Sequence, residues 1–121
     1  MDQPALTRVL IADLPGAGRS ALAHLVAHTP GVALVANVAE PDMIEAALLE
    51  QRPEVVVVDD RLLEHELWAS REAGVRLIVV GVDDDPGYAA RAERLGAETW
   101  VAKDRADAIL PLLLIRVEPV G

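Results

Sequence analysis

The stretch Pro53-Glu54-Val55-Val56-Val57-Val58-Asp59-Asp60 sets the architecture. Its four consecutive valines are β-branched and do not alternate with polar residues, so they form a strand that is apolar on both faces. A strand of this kind is covered on both faces, as a central strand of a parallel sheet is. Four further short apolar runs, at residues 9–12, 32–38, 77–80 and 99–102, read as strands by the same criteria.

Between these runs the hydrophobic period changes to about 3.6 residues. Leu22, Leu25 and Val26 share one helical face, with Arg19 and Ser20 on the polar side. Met43, Ile44, Ala47 and Leu48 mark a second helix, with Pro41 as its first residue. Leu63, Leu67 and Trp68 mark a third, stopped near Gly74. Ala89, Ala92 and Leu95 mark a fourth, starting after Pro86 and ending at Gly96. A fifth starts near Asp104, a suitable N-cap. Strand and helix thus alternate five times. Such alternation means a parallel sheet with right-handed crossovers and helices on both faces. The expected fold is a flavodoxin-like (βα)5 α/β sandwich with strand order 2-1-3-4-5.

A chain of 121 residues makes one domain, expected to span residues 1–121 with its core at about 7–115. Hydrophobic residues reach 52% but aromatic residues only 2%, so the core is built from Val, Leu, Ile and Ala. The absence of cysteine excludes disulfides, thiolate metal sites and a Cys nucleophile. A net charge of −9 argues against direct binding to nucleic acid or to an anionic membrane. No apolar run is long enough to span a bilayer, and Met1-Asp2-Gln3 carries no basic segment, so a soluble cytoplasmic protein is expected. No basic helix-turn-helix segment follows Lys103, so no output domain is expected in this chain.

Three ionisable residues end otherwise apolar strands: Asp13 the first, Asp59 the third, and Lys103 the fifth. In the order 2-1-3-4-5 all three meet in one crevice at the carboxyl ends of the strands. Acidic residues after strands often only start a loop or cap a helix. Three such residues converging at one crevice make a stronger case. Two adjacent carboxylates repel unless a cation lies between them, and Mg²⁺ suits such oxygen donors. A lysine opposite supplies an ammonium that can move onto a phosphoryl oxygen. Carboxylate, metal and lysine together make a phosphoryl-transfer site.

At these residues the chain resembles a response-regulator receiver domain of the NarL/LuxR type, from about Arg8 to Asp107. Arg8-Val9-Leu10-Ile11-Ala12-Asp13 is similar to the opening strand of that family. Pro53-Glu54-Val55-Val56-Val57-Val58-Asp59 resembles its phospho-acceptor strand, and Gly74-Val75-Arg76-Leu77-Ile78-Val79-Val80 its fourth strand. Asp84-Asp85-Pro86-Gly87-Tyr88 fits the start of its fourth helix. Leu95-Gly96-Ala97-Glu98-Thr99-Trp100-Val101-Ala102-Lys103 resembles its closing Gly-Ala-x-x-aromatic-apolar-apolar-Lys. The resemblance implies that Asp59 accepts a phosphoryl group from a histidine kinase or a small phosphodonor and that Lys103 binds it. It also implies that Asp13, Asp59 and the backbone carbonyl of Arg61 hold Mg²⁺. Trp100 falls at the aromatic switch position; by its amphipathic ring it also reads as a half-buried side chain at the sheet edge.

Three positions depart from the family. Leu14 stands where a second acidic metal ligand is usual, which removes a charge and weakens Mg²⁺ binding. Gly81 stands where a Thr or Ser hydroxyl usually contacts the phosphoryl group. The loop Leu14-Pro15-Gly16-Ala17-Gly18 is also unlike the family's. The expectation is an atypical receiver in two-component signal transduction, phosphorylated weakly if at all. Its enzymatic chemistry is at most its own phosphorylation and dephosphorylation at Asp59. It regulates transcription through an attached or associated output domain. The alternative is a pseudo-receiver that dimerises or binds a ligand without phosphate.

Other signals are weaker. Gly16-Ala17-Gly18-Arg19-Ser20-Ala21, with Glu40 further on, formally fits a small dinucleotide-binding domain. The chain is short for that fold, and Asp13 sets a negative charge beside the pyrophosphate. His24 and His28 have the i, i+4 spacing of a helical metal chelate, although a solvated helix face is the plainer reading. His65 in Glu64-His65-Glu66 reads as exposed. Asp83-Asp84-Asp85 reads as a loop and N-cap cluster. Ile109-Leu110-Pro111-Leu112-Leu113-Leu114-Ile115 is apolar on more than one helical face, and Pro111 is expected to break or kink its helix. That excess reads as an interface in which the fourth and fifth helices meet a second copy or an output domain; the alternative is a fifth helix shortened by Pro111, with the remainder packed on its own sheet.

Overall fold

Val55, Val56, Val57 and Val58 are all fully buried, and they divide between two cores. Val55 and Val57 join Val9, Ile11, Val26 and Leu110 on one face of the sheet. Val56 and Val58 join Leu10, Ile44, Leu48 and Val79 on the other. This is the two-sided burial expected of an unalternating strand. The computed structural model describes residues 6–13, 17–59, 62, 75–81, 87, 90, 93 and 96–114.

The described elements run β1 (Thr7–Ala12), α1 (Ala17–Ala27), β2 (Val32–Val38), α2 (Pro41–Gln51), β3 (Val55–Asp59), β4 (Arg76–Gly81) and β5 (Thr99–Ala102). A 3-10 turn at Lys103–Arg105 then leads into α3 (Ala106–Leu114). The five strands form one parallel sheet in the order β2-β1-β3-β4-β5, as expected. Helices α1 and α3 pack on one face, and α2 packs on the other. Among the described residues no helix is long and apolar enough to cross a membrane.

Pro41 begins α2 as expected. Met43 does not join the apolar face and is 52% exposed. At 100° per residue Ile44, Ala47 and Leu48 fall on one arc, and Met43 lies beyond its edge. The expected third helix, with Leu63, Leu67, Trp68 and Gly74, lies outside the described residues, as do Pro86 and Asp83 to Asp85. Of the fourth helix, Gly87, Ala90 and Glu93 are helical. Gly96 follows with φ +84°, and its N–H donates to the Glu93 carbonyl at 3.0 Å. This left-handed stop favours glycine.

The last helix departs from expectation in two ways. Asp104 is not its N-cap: it lies in the 3-10 turn, and the α-helix begins at Ala106. Such a tight turn is common at the entry to a helix. Pro111 does not break α3, which continues to Leu114. Proline removes the N–H that would reach the Asp107 carbonyl, and Asp107 is exposed, where water can replace that bond. At the opposite edge, Arg76 makes a forked pair with Glu98, Nε to Oε1 at 2.9 Å and Nη2 to Oε2 at 2.6 Å. The same Nη2 donates to the Leu113 carbonyl at 2.7 Å, serving one of the free carbonyls at the end of α3. This hydrogen bonding raises Arg76 above its ordinary pKa and holds Glu98 below the usual carboxylate value.

Leu110 is fully buried, whereas Leu112 is 70% exposed on the same helix. Leu110→Ala is expected to cost about 2–5 kcal/mol in urea denaturation. Leu112→Ala should stay within about 0.5 kcal/mol of the parent. Equal losses would contradict this placement of α3.

Candidate functional site

The site is built at the C-terminal edge of the sheet. The last residue pair between β1 and β3 is Ala12 with Val58, so Asp13 and Asp59 follow on adjacent strands. Asp13 extends the ladder with β2, its N–H donating to the Val38 carbonyl at 3.0 Å. Asp59 closes β3 opposite Val80 of β4. Both carboxylates lie in fully buried residues.

Lys103 follows β5 and begins the 3-10 turn. Its ammonium donates to Asp59 Oδ2 at 2.7 Å and reaches Asp13 Oδ1 at 3.5 Å. Because β4 lies between β3 and β5, the lysine side chain passes over the end of β4 to reach them. The residue there is Gly81, buried and paired with Ala102. It presents only backbone along this route. The structure therefore brings together the three strand-end residues singled out in the sequence.

The charges do not balance within the triad: two carboxylates share one ammonium. Two hard oxygen anions on neighbouring strands are a donor set that fits Mg²⁺, which is commonly held by one or two carboxylates and several waters. Among the described residues no larger group of His, Asp and Glu gathers around a point. Arg61 and Leu14 lie outside the described residues.

Trp100 lies on the edge strand β5 and is partly buried against the core on the α2 side. Among the described residues its indole N–H has no hydrogen-bond partner. Gly18 and Ala21 of the glycine motif lie within α1, and Glu40 is exposed at the entry to α2. A feature not read from the sequence is a cavity of about 220 Å³ beside Lys103, between α1 and α3. Leu22, Leu25, Val80 and Ala106 line it. It arises where helices from distant parts of the chain meet, which no local pattern records.

Neither a protein-family model nor a curated protein matches the chain. Solved structures do. The signal receiver domain of the response regulator NarL from Mycobacterium tuberculosis superimposes with a TM-score of 0.70 at 18% identity, over 91% of this chain and 95% of that one. A DNA-binding response regulator of the LuxR family from Staphylococcus aureus gives 0.74 at 21%, over 88% and 94%. CheY6 from R. sphaeroides, solved in complex with the P1 domain of CheA3, is the setting of a further match, with 0.72 at 22%, over 83% and 84%. At these identities the likeness is one of fold: the chain has the flavodoxin-like fold of receiver domains.

Removing Lys103 takes from two buried carboxylates the ammonium they share. Lys103→Met is expected to cost about 3 kcal/mol at pH 7, the low end for a buried pair because the Lys103 side chain is 25% exposed. Asp59→Asn keeps the Lys103–Asp13 pair and should cost much less. Urea denaturation compares the two, and the reverse ranking would contradict this electrostatic arrangement.

Proposed function

We propose that this chain is an atypical response-regulator receiver domain, with Asp59 as phospho-acceptor and Lys103 as the phosphoryl-binding cation. The observation that carries the reading is the 2.7 Å contact from Lys103 Nζ to Asp59 Oδ2, with Asp13 on the neighbouring strand. An Asp59 carboxylate oxygen attacks the phosphorus of a histidine-kinase phosphohistidine or a small acyl phosphate. The new O–P bond forms as the bond to the imidazole or acyl leaving group breaks. Lys103 leaves the carboxylate oxygen for a phosphoryl oxygen and neutralises charge there. Asp13, Asp59 and the Arg61 backbone carbonyl would hold Mg²⁺, which when bound would offset the negative charge of the phosphoryl oxygens.

Phosphorylation is weak on this reading. Leu14 removes one carboxylate from the metal site. Gly81 has no hydroxyl to hydrogen-bond the phosphoryl group and carry its presence toward Trp100. The signal leaves through protein contacts in the cytoplasm, with an output domain acting on transcription or with a second copy. Leu112, exposed on α3, supports a contact face there.

A second reading, a pseudo-receiver that works without phosphate, draws support from the apolar cavity beside Lys103. One experiment separates them. After incubation with acetyl phosphate and Mg²⁺, intact mass is expected to show partial addition of one phosphoryl group, absent in Asp59→Ala. Leu14→Asp should raise the yield at low Mg²⁺. No adduct at any Mg²⁺ concentration would overturn the phosphorylation reading and leave the pseudo-receiver.

A further inference from the structure

The outward face of α1 carries chemistry that the strand-end site does not use. His24 and His28 are both exposed, and their rings stack with centroids 4.0 Å apart and planes inclined at 30°. His28 Nδ1 lies 2.8 Å from the His24 backbone carbonyl. A carbonyl oxygen only accepts, so Nδ1 carries the proton. In the neutral ring Nε2 therefore keeps its lone pair.

We propose that His24 and His28 form a two-histidine chelate for a divalent transition-metal ion of the zinc class, apart from the Asp13–Asp59–Lys103 site. Three features support it independently of spacing. The hydrogen bond from Nδ1 to a carbonyl is the outer contact that fixes ring orientation in metal-binding histidines. The rings are already side by side: two nitrogens bound to one tetrahedral Zn²⁺ lie about 3.3 Å apart, given Zn–N bonds of about 2.0–2.1 Å. In the stack the in-plane lone pairs run nearly parallel, so binding turns the two exposed rings out of the stack until both nitrogens face one ion. Finally, α1 ends at Ala27, so both histidines sit at the helix C-terminus, the end of the dipole that attracts a cation. Water fills the remaining coordination positions, because the described residues contribute no cluster of three or more His, Asp or Glu ligands.

The test is a Zn²⁺ titration of the full chain by calorimetry, in excess Mg²⁺ to occupy the carboxylates. One saturable site is expected. His24→Ala and His28→Ala, at exposed positions that leave the far-UV circular dichroism unchanged, should each weaken it roughly tenfold or more. His65→Ala, which removes the third histidine of the chain, should leave it intact. Nitrogen NMR of the imidazoles should show metal at His28 Nε2 with Nδ1 still protonated. Absence of saturable binding would overturn the proposal. So would binding that survives both His24→Ala and His28→Ala, or that is lost in His65→Ala.

Discussion

The structure depends at its functional edge on one ammonium shared by two buried carboxylates. Lys103 lies 44 residues beyond Asp59 and 90 beyond Asp13, yet its Nζ contacts both. Burying carboxylates without a countercharge is costly, so the cation is what makes this convergence tolerable. The triad also ties the end of β5 to β3 and β1 across β4. On the function proposed above, a phosphoryl group on Asp59 would compete for the same ammonium and so alter the contact that steadies the edge.

That convergence requires the sheet order. With β1 beside β3, Asp13 and Asp59 emerge on neighbouring strands. The two apolar faces of β3 hold it at the centre, with α1 and α3 on one side and α2 on the other. Gly81 has two consequences at this point. It puts no side chain of its own in the lysine's path across β4, and it supplies no hydroxyl at the strand end.

The strands were legible because a parallel sheet imposes a local signal: short runs rich in β-branched residues that must be apolar on both faces. β2 and β5 run over the expected residues, whereas β1 starts two residues earlier at Thr7, whose polarity hides its burial. Strand order followed from alternation and handedness, and with it the meeting of Asp13, Asp59 and Lys103. Details set by competition between neighbouring conformations were not legible. Asp104 is a good N-cap in isolation, but the 3-10 turn that carries Lys103 takes precedence over it. Pro111 is a helix breaker in isolation, but Leu110 and Leu114 hold α3 against the sheet on either side of it. The Arg76–Glu98 pair and the cavity beside Lys103 come from tertiary meetings that leave no periodic trace.

The most direct measurement is a crystal structure grown with Mg²⁺ and beryllium trifluoride, a mimic of the phosphoryl group. If Asp59 is a phosphoryl acceptor, the beryllium is bound to an Asp59 carboxylate oxygen and Lys103 Nζ has moved onto a fluorine, with the metal against Asp13. An unaltered Lys103–Asp59 pair, with no beryllium at Asp59 under saturating conditions, would contradict it.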